Sequence, residues 1–265
     1  MKTKPIYLLV VLLCIVAACK KDTPDVPSPS EPVKKYLAKV LIVGNDGSFY
    51  EVEHCAWDSL HRLKTYWSGA NAYSVNAEFY YDSIGRISRI DYMSYYRLRF
   101  FFDWKNEKEL NGMDIYMQNI LDTTYYNWSR DTYFYDESGR NIEIKRVYTD
   151  TNSTTIYQIE WDGLNITSAG TNSFLLASNQ KFDNKYSPWS TFPNILIVGL
   201  VIDMNSRLLY NTSKNNSIQG RGFFGVGNGV SYEYEYDYAE DGYPIRQYSL
   251  EEDGEKTLWY IFEYL

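Results

Sequence analysis

The segment EFYYDSIGRISRI, residues 78–90, decides the fold of this chain. Its first four residues are mostly aromatic, and its last five interleave apolar and polar side chains, as a strand with one buried face does. Between them, Asp82 and Gly85 supply turn chemistry, because an aspartate side chain accepts bonds from nearby backbone amides and glycine tolerates positive φ. The segment therefore predicts two antiparallel strands joined by a tight turn.

An aromatic residue followed by aspartate, with arginine four residues after the aspartate, recurs along the chain. The strict copies begin at Trp57-Asp58, Tyr81-Asp82 and Tyr135-Asp136, and looser copies of the aromatic-aspartate pair begin at Trp161-Asp162, Phe182-Asp183 and Tyr236-Asp237. Most neighbouring copies are separated by about the length of two strands and two turns. The sequence therefore predicts a repeated strand-turn-strand unit, with the aspartates as turn formers and the arginines as cross-strand partners.

The fold class that follows is mainly β, an antiparallel meander forming a strongly curved open sheet or half-barrel. The 27 tyrosines and the aromatic content of 17% agree, because aromatic side chains suit a pleated, half-buried surface. Only residues 188–210 depart from the pattern; they contain a dense apolar run at 192–202, and Pro193 favours a helix start there. We expect a short helical insert near 190–210 that fills the concave side, which favours the open form over a closed barrel.

Residues 1–18 have the features of a lipoprotein signal peptide that is removed. Lys2 and Lys4 precede a short apolar run, and the run ends in small residues before Cys19, which resembles the lipobox of bacterial lipoproteins. The resemblance implies acylation of Cys19, so we expect the membrane to be a partner through this lipid anchor. Residues 19–35 are then the lipidated cysteine and a proline-rich, disordered stalk, and residues 36–265 are a single curved β domain.

The location predicted from these features is the outer membrane. Lys20-Lys21-Asp22 resembles the charged tag that sends some lipoproteins of Bacteroidota-type bacteria to the outer face, although a periplasmic location is the alternative. A transmembrane barrel is a rival interpretation, favoured by the aromatic run at residues 259–264. The lipid anchor, the stalk and a mean hydropathy of −0.43 oppose it. A net charge of −8 argues against nucleic acid as a partner.

The repeated phrase resembles the tyrosine-aspartate repeats of large β-shell proteins, and the whole of residues 40–265 is similar to a family of single-domain lipoproteins from Bacteroidota-type bacteria. The features that carry the second resemblance are the lipobox, the repeats, the segments 182–188 and 213–216 on either side of the apolar insert, and the segments 234–237 and 241–244. This resemblance implies a curved β-sheet and transfers no catalytic residues.

Two patterns of ligand-binding type have simpler structural interpretations. The glycine-rich stretch 220–225 matches a dinucleotide fingerprint, but a flexible loop is expected because strand-like residues follow it where a helix is required. His54 and Cys55 would point to opposite faces of one strand, which prevents joint metal binding by these two residues and His61. We expect no catalytic residues, no metal site and no cofactor.

The carboxylates of one predicted strand, Glu233, Glu235 and Asp237, would share a face opposite three tyrosines. Such a row is typical of a solvated sheet face, and a carbohydrate-active hydrolase that uses these paired acids is the enzyme alternative.

An anchored, aromatic-rich β domain suits the binding of glycans, peptides or envelope proteins, because tyrosine and tryptophan present flat apolar faces with a polar edge. The tryptophans that we single out as ligand-binding candidates are Trp104, Trp128, Trp161 and Trp189. The predicted function is therefore a non-enzymatic outer-membrane lipoprotein with a binding or scaffolding role. A periplasmic carrier of lipid or peptide is a further alternative.

Overall fold

The computed structural model describes residues 34–44, 46–69, 74–94, 96–119, 121, 123–171, 175–192, 213–222, 230–251 and 253–265. They form sixteen β-strands: β1 Leu37–Val43, β2 Phe49–Trp57, β3 Leu63–Ser68, β4 Val75–Tyr81, β5 Ile87–Met93, β6 Arg97–Trp104, β7 Leu110–Gln118, β8 Tyr125–Tyr135, β9 Asn141–Tyr148, β10 Thr154–Asp162, β11 Asn165–Gly170, β12 Leu175–Tyr186, β13 Asn215–Gly222, β14 Val230–Tyr238, β15 Pro244–Leu250 and β16 Lys256–Tyr264.

The strands form a closed antiparallel barrel in which each strand pairs with its neighbours in sequence. The mainly β meander is thus confirmed, whereas the open sheet or half-barrel is wrong. The closing contact is the pairing of β1 with β16, in which Val40 lies opposite Phe262. Closure satisfies the backbone groups that two open sheet edges would leave unpaired. The sequence does not predict this closure, because no local sequence pattern indicates that β1 pairs with β16.

The helical insert predicted near 190–210 falls mostly on residues 193–212, which lie outside the described residues. Residues 188–192 form turns instead of a helix, and the described ranges contain no helix. Trp189 and Phe192 of these turns belong to the hydrophobic core, where Trp189 makes an edge contact with Phe262 and Phe192 one with Trp57. No helix among the residues described is long and apolar enough to cross a membrane.

The two faces of the barrel wall differ in chemistry. The polar residues Ser129, Asp131 and Arg146 of β8 and β9 are buried, and inward positions on β5, β7 and β9 carry fully buried aliphatic side chains, as at Ile90, Ile115 and Ile144. Each such side chain contributes roughly 1.5–3 kcal/mol by leaving water. Between them on the outer face lie charged side chains such as Asp91 and Arg130, which make ion pairs with their neighbours. Aliphatic side chains thus fill part of the interior, and ion pairs lie on the outer face beside exposed apolar side chains such as Phe101 and Ile156.

The three strict copies of the repeat confirm that their aspartates form turns, whereas Asp183 and Asp237 of the looser copies lie within β12 and β14. Asp82 Oδ1 accepts bonds from the backbone N–H groups of Ile84 and Arg86 at 3.0 and 2.9 Å, and Oδ2 accepts one from Arg86 Nε at 2.7 Å. The turns after Asp58 and Asp136 have the same three bonds. Gly85 has φ of +89°, as the sequence predicted. Each turn is therefore held by one aspartate that bonds across the hairpin to its arginine.

The aromatic residue of each repeat connects one hairpin to the next. Tyr81 donates its hydroxyl to the carbonyl of Leu63 at 2.7 Å, and that residue starts the strand after the preceding repeated turn. Equivalent bonds join other aromatic residues to the backbone at this end of the barrel: Trp57 to Leu37, Trp104 to Ile87, Trp161 to Asn141 and Tyr264 to Pro244. These bonds link successive hairpins at one end of the barrel wall.

Candidate functional site

An open groove with a volume of about 630 Å³ crosses the outer face of β3 to β6. Register places its side chains in two rows that run across the strands. The first, the Trp67 row, consists of Trp67, Asn76, Met93 and Arg97, each directly opposite the next. The second, the Glu78 row, consists of Thr65, Glu78 and Asp91, and it continues beyond the groove lining to Arg99. With strands about 4.8 Å apart, each row spans roughly 14 Å.

The Trp67 row offers a flat apolar ring at one end and a cation at the other. Trp67 is half-buried, whereas Asn76, Met93 and Arg97 are exposed. A Cβ at Gly69 would overlap the indole of Trp67, so the ring occupies space that only glycine leaves open. The absence of a side chain at residue 69 therefore defines the position of the ring at the edge of the groove.

The Glu78 row places two carboxylates directly opposite each other, an arrangement that like-charge repulsion disfavours. The repulsion is offset at Asp91, whose Oδ1 lies 3.0 Å from Arg89 Nε and 3.5 Å from Arg99 Nε. Glu78 is exposed, and its hydrogen bond with the Tyr80 hydroxyl, together with burial, raises the pKa of Tyr80. Glu78 thus presents a solvated acceptor to the groove, while Asp91 is neutralised by its neighbours.

Aromatic rings hold the two arginines that neutralise Asp91. Arg89 Cζ lies 3.8 Å from the ring centroid of Tyr80, and Arg99 Cζ lies 4.2 Å from that of Tyr125, which also lines the groove. Cation–π contacts of this kind contribute about 0.5–1 kcal/mol at exposed sites. These contacts stabilise the two arginine side chains beside the groove.

The four tryptophans singled out from the sequence do not line this groove. Trp104 and Trp161 donate their indole N–H groups to the carbonyls of Ile87 and Asn141, both at 2.7 Å. Trp128 makes an edge contact with Tyr148, and Trp189 is 5% exposed. All four pack in or against the hydrophobic core. Their role in ligand binding stays a prediction, as does acylation of Cys19, which lies outside the described residues.

The carboxylates of β14 lie on the outer face, opposite the tyrosines, as predicted. Glu235 pairs with Lys256 at 2.6 Å, and Asp237 lies 3.5 Å from Arg246. Both acids are about half exposed, with side-chain exposures of 51% and 47%. They form part of a solvated, ion-paired surface.

The remaining motifs have structural roles where the chain is described. Cys55 is buried while the His54 side chain is 44% exposed, so the two do point to opposite faces. Within the described residues, no cluster of three or more histidine, cysteine, aspartate or glutamate side chains is arranged to hold a metal ion. Gly220 and Gly222 lie in β13, so the flexible loop expected for the stretch 220–225 is wrong at residues 220–222, while residues 223–229 lie outside the described residues.

Sequence reasoning missed Trp67, Asn76, Glu78 and Arg97. The only local signal is that each occupies a polar-facing position of a predicted strand, beside buried residues such as Tyr66 and Ala77. Their juxtaposition arises from the register of four successive strands, which single hairpins do not reveal.

Comparisons with known proteins identify a fold and no family. No family model and no curated protein matches the chain. Among solved structures, it is similar to a porin-like protein from Bacteroides uniformis, with a TM-score of 0.52 and 10% identity over 90% of this chain and 100% of that one. A porin-like protein from Bacteroides vulgatus gives a TM-score of 0.42 at 12% identity, covering 88% and 99% of the two chains. At these identities, the likeness to the first of these structures shows the barrel fold alone.

A part of the Tc holotoxin pore of Photorhabdus luminescens also matches, with a TM-score of 0.20 and 13% identity over 81% of this chain and 10% of that one. The resemblance to lipoproteins and to tyrosine-aspartate repeat shells stays a prediction.

Proposed function

We propose that this protein is a glycan-binding protein of the bacterial cell envelope, tethered by a lipid on Cys19, and that the outer groove is its binding site. The observation that carries the proposal is the Trp67 row beside Glu78. An indole face stacks on the apolar side of a sugar ring, and amide and carboxylate groups bond to its hydroxyls. The proposed role is non-enzymatic binding.

The charges of the outer wall support a barrel that stays in water. Transmembrane barrels have an apolar outer band and a polar lumen, and an arginine at mid-bilayer on the lipid side costs about 2–4 kcal/mol. Here Arg89, Asp91 and Arg99 lie on the outer face, and Ile90 on the inner face is fully buried. The name porin-like belongs to the structural neighbours, and the arrangement of charges favours binding over transport for this chain.

The test is a thermal-shift and calorimetric screen of the purified full-length chain against neutral and acidic oligosaccharides. A ligand at 100 times its Kd should add about 2.7 kcal/mol, which raises the Tm by a few degrees. Trp67→Ala should weaken binding at least tenfold. The matched control is Trp259→Ala, since this indole lines a smaller groove of about 360 Å³ over β1, β15 and β16.

Equal losses in the two tryptophan variants, or no response from any oligosaccharide, would contradict the proposal. Cleavage of a bound oligosaccharide would favour the hydrolase alternative, and stabilisation by lipids or peptides alone would favour the carrier.

A further inference from the structure

We infer that the outer groove selects saccharides that bear a carboxylate, and that Arg97 is the residue that binds it. This inference rests on the proposed function and names the chemical class of its ligand. It starts from the three arginines on the outer face beside the groove, Arg89, Arg97 and Arg99, which differ in their partners.

Arg97 alone among these three has no carboxylate partner within the described part of the chain. Arg89 and Arg99 both approach Asp91, and each lies over a tyrosine ring. Arg97 instead donates from Nη1 to the side-chain oxygen of Gln118 at 3.4 Å, a long bond to a neutral group. Its exposed guanidinium keeps further donors for a planar anion, and guanidinium groups bind carboxylates bidentately.

The position of Arg97 gives the ligand an orientation. Trp67 and Arg97 are the two ends of the Trp67 row, so a chain of sugars that stacks on the indole reaches the guanidinium roughly 14 Å away. Glu78 lies one strand from Trp67 and repels a carboxylate at that end. The acidic group of the ligand is therefore directed to the Arg97 end, and its hydroxyls to the Glu78 end.

The net charge of the whole chain further restricts the class of saccharide that we expect to bind. A net charge of −8 repels densely charged polyanions at long range. A single guanidinium in the groove then retains a ligand with sparse carboxylates, such as an oligosaccharide with one or a few uronic acid units.

The experiment compares pairs of oligosaccharides that differ only in oxidation at C6, each neutral member with its uronic acid counterpart, in the gluco, galacto and manno series. Calorimetry with the full-length protein should give at least tenfold tighter binding of the acidic member in one series, and this preference should fall with added salt. Arg97→Gln should remove the preference, because it weakens binding of the acidic member more than binding of the neutral member. The control is Arg246→Gln, an arginine of the outer face on β15 whose side chain is 51% exposed.

The outcomes separate this inference from the proposed function. Equal binding of both members by the wild type, or a preference that survives Arg97→Gln, overturns the assignment of Arg97 while glycan binding stands. Absence of binding by any member, or binding that Trp67→Ala does not weaken, would contradict the proposed function, in which the outer groove is the glycan-binding site. Loss of the preference in Arg246→Gln as well would show an effect of overall charge, which also overturns the assignment.

Discussion

Gly69 matters because of the atom that it lacks. The indole of Trp67 occupies the space that a Cβ at residue 69 would take. Gly69→Ala should therefore displace the ring and weaken oligosaccharide binding at least tenfold in a calorimetric titration. Because the displaced ring lies at the edge of the groove, the Tm should change little.

Gly44→Ala is the matched control for this substitution, since its Cβ would overlap the ring of Tyr50, which does not line the groove. The control should bind oligosaccharides as the wild type does. Unchanged affinity in Gly69→Ala would show that the position of the indole does not matter for binding.

An ion pair between Asp131 and Arg146 lies inside the barrel. Asp131 and Arg146 face each other across β8 and β9 with side chains 0% and 6% exposed, and two bonds of 2.7 Å join them. Burial disfavours the charged guanidinium, but its bonds with Asp131 outweigh this and raise the pKa of Arg146. The Arg146 guanidinium is therefore charged in the interior, where it bonds to Asp131.

Breaking this pair should be costly, because it leaves a buried charge without its partner. We expect Asp131→Ala to lower the free energy of unfolding by about 3–5 kcal/mol in urea denaturation. The double variant Asp131→Leu with Arg146→Met should recover most of the loss. Asp114→Ala, which breaks an exposed pair with Arg130, should cost about 1 kcal/mol or less, and an equal cost at both sites would refute the prediction.

At the scale of the element, the repeated turn couples stability to acid. The backbone amide and side chain of Arg140 lower the pKa of Asp136, and Asp58 and Asp82 are also lowered because bonds from Arg62 and Arg86 outweigh desolvation. The ordinary pKa of an aspartate is 3.8, and these aspartates have lower pKa values in the folded chain. Between the two values, the unfolded chain therefore binds more protons than the folded chain. The contribution of these turns is thus present above about pH 4 and is lost as the pH falls through the lower pKa values of the folded state.

The variant Asp58→Asn, Asp82→Asn, Asp136→Asn isolates this effect, because the amide oxygen still accepts backbone bonds but does not titrate. Its stability in urea should lie below the wild-type value at pH 6, and the difference should shrink as the pH falls from 4 toward 2. Two profiles that stay parallel over that range would show that the turn carboxylates do not contribute in this way.

At the scale of the whole molecule, the first and last strands, β1 and β16, complete the barrel. The Leu265 amide donates to the carbonyl of Tyr36 at 2.9 Å, next to the β1–β16 ladder. A chain truncated at residue 255 would lose β16 and expose two strand edges, so we expect aggregation and loss of cooperative unfolding.

A circular permutant is the control for this truncation. Joining residue 265 to residue 36 and opening the exposed turn between β6 and β7 keeps every strand of the barrel. The permutant should unfold cooperatively near the wild-type Tm. A truncated chain that remains monomeric and cooperative would show that closure is dispensable.

The amino-acid sequence by itself determined the hairpins. The three hydrogen bonds of the Asp82 turn lie within five residues, so the turn can be predicted from the local sequence alone. The same is true of the tyrosine and carboxylate faces of β14, because they follow from alternation along one strand.

Only the tertiary structure decided the closure of the barrel and the site on its wall. Val40 meets Phe262, and Trp67 shares a row with Arg97, through pairings between distant or successive strands. The free energy of such pairings depends on the register of the whole sheet, and a shift of one residue in any strand would turn these side chains to the other face. That register is a property of the closed barrel, which no single hairpin contains.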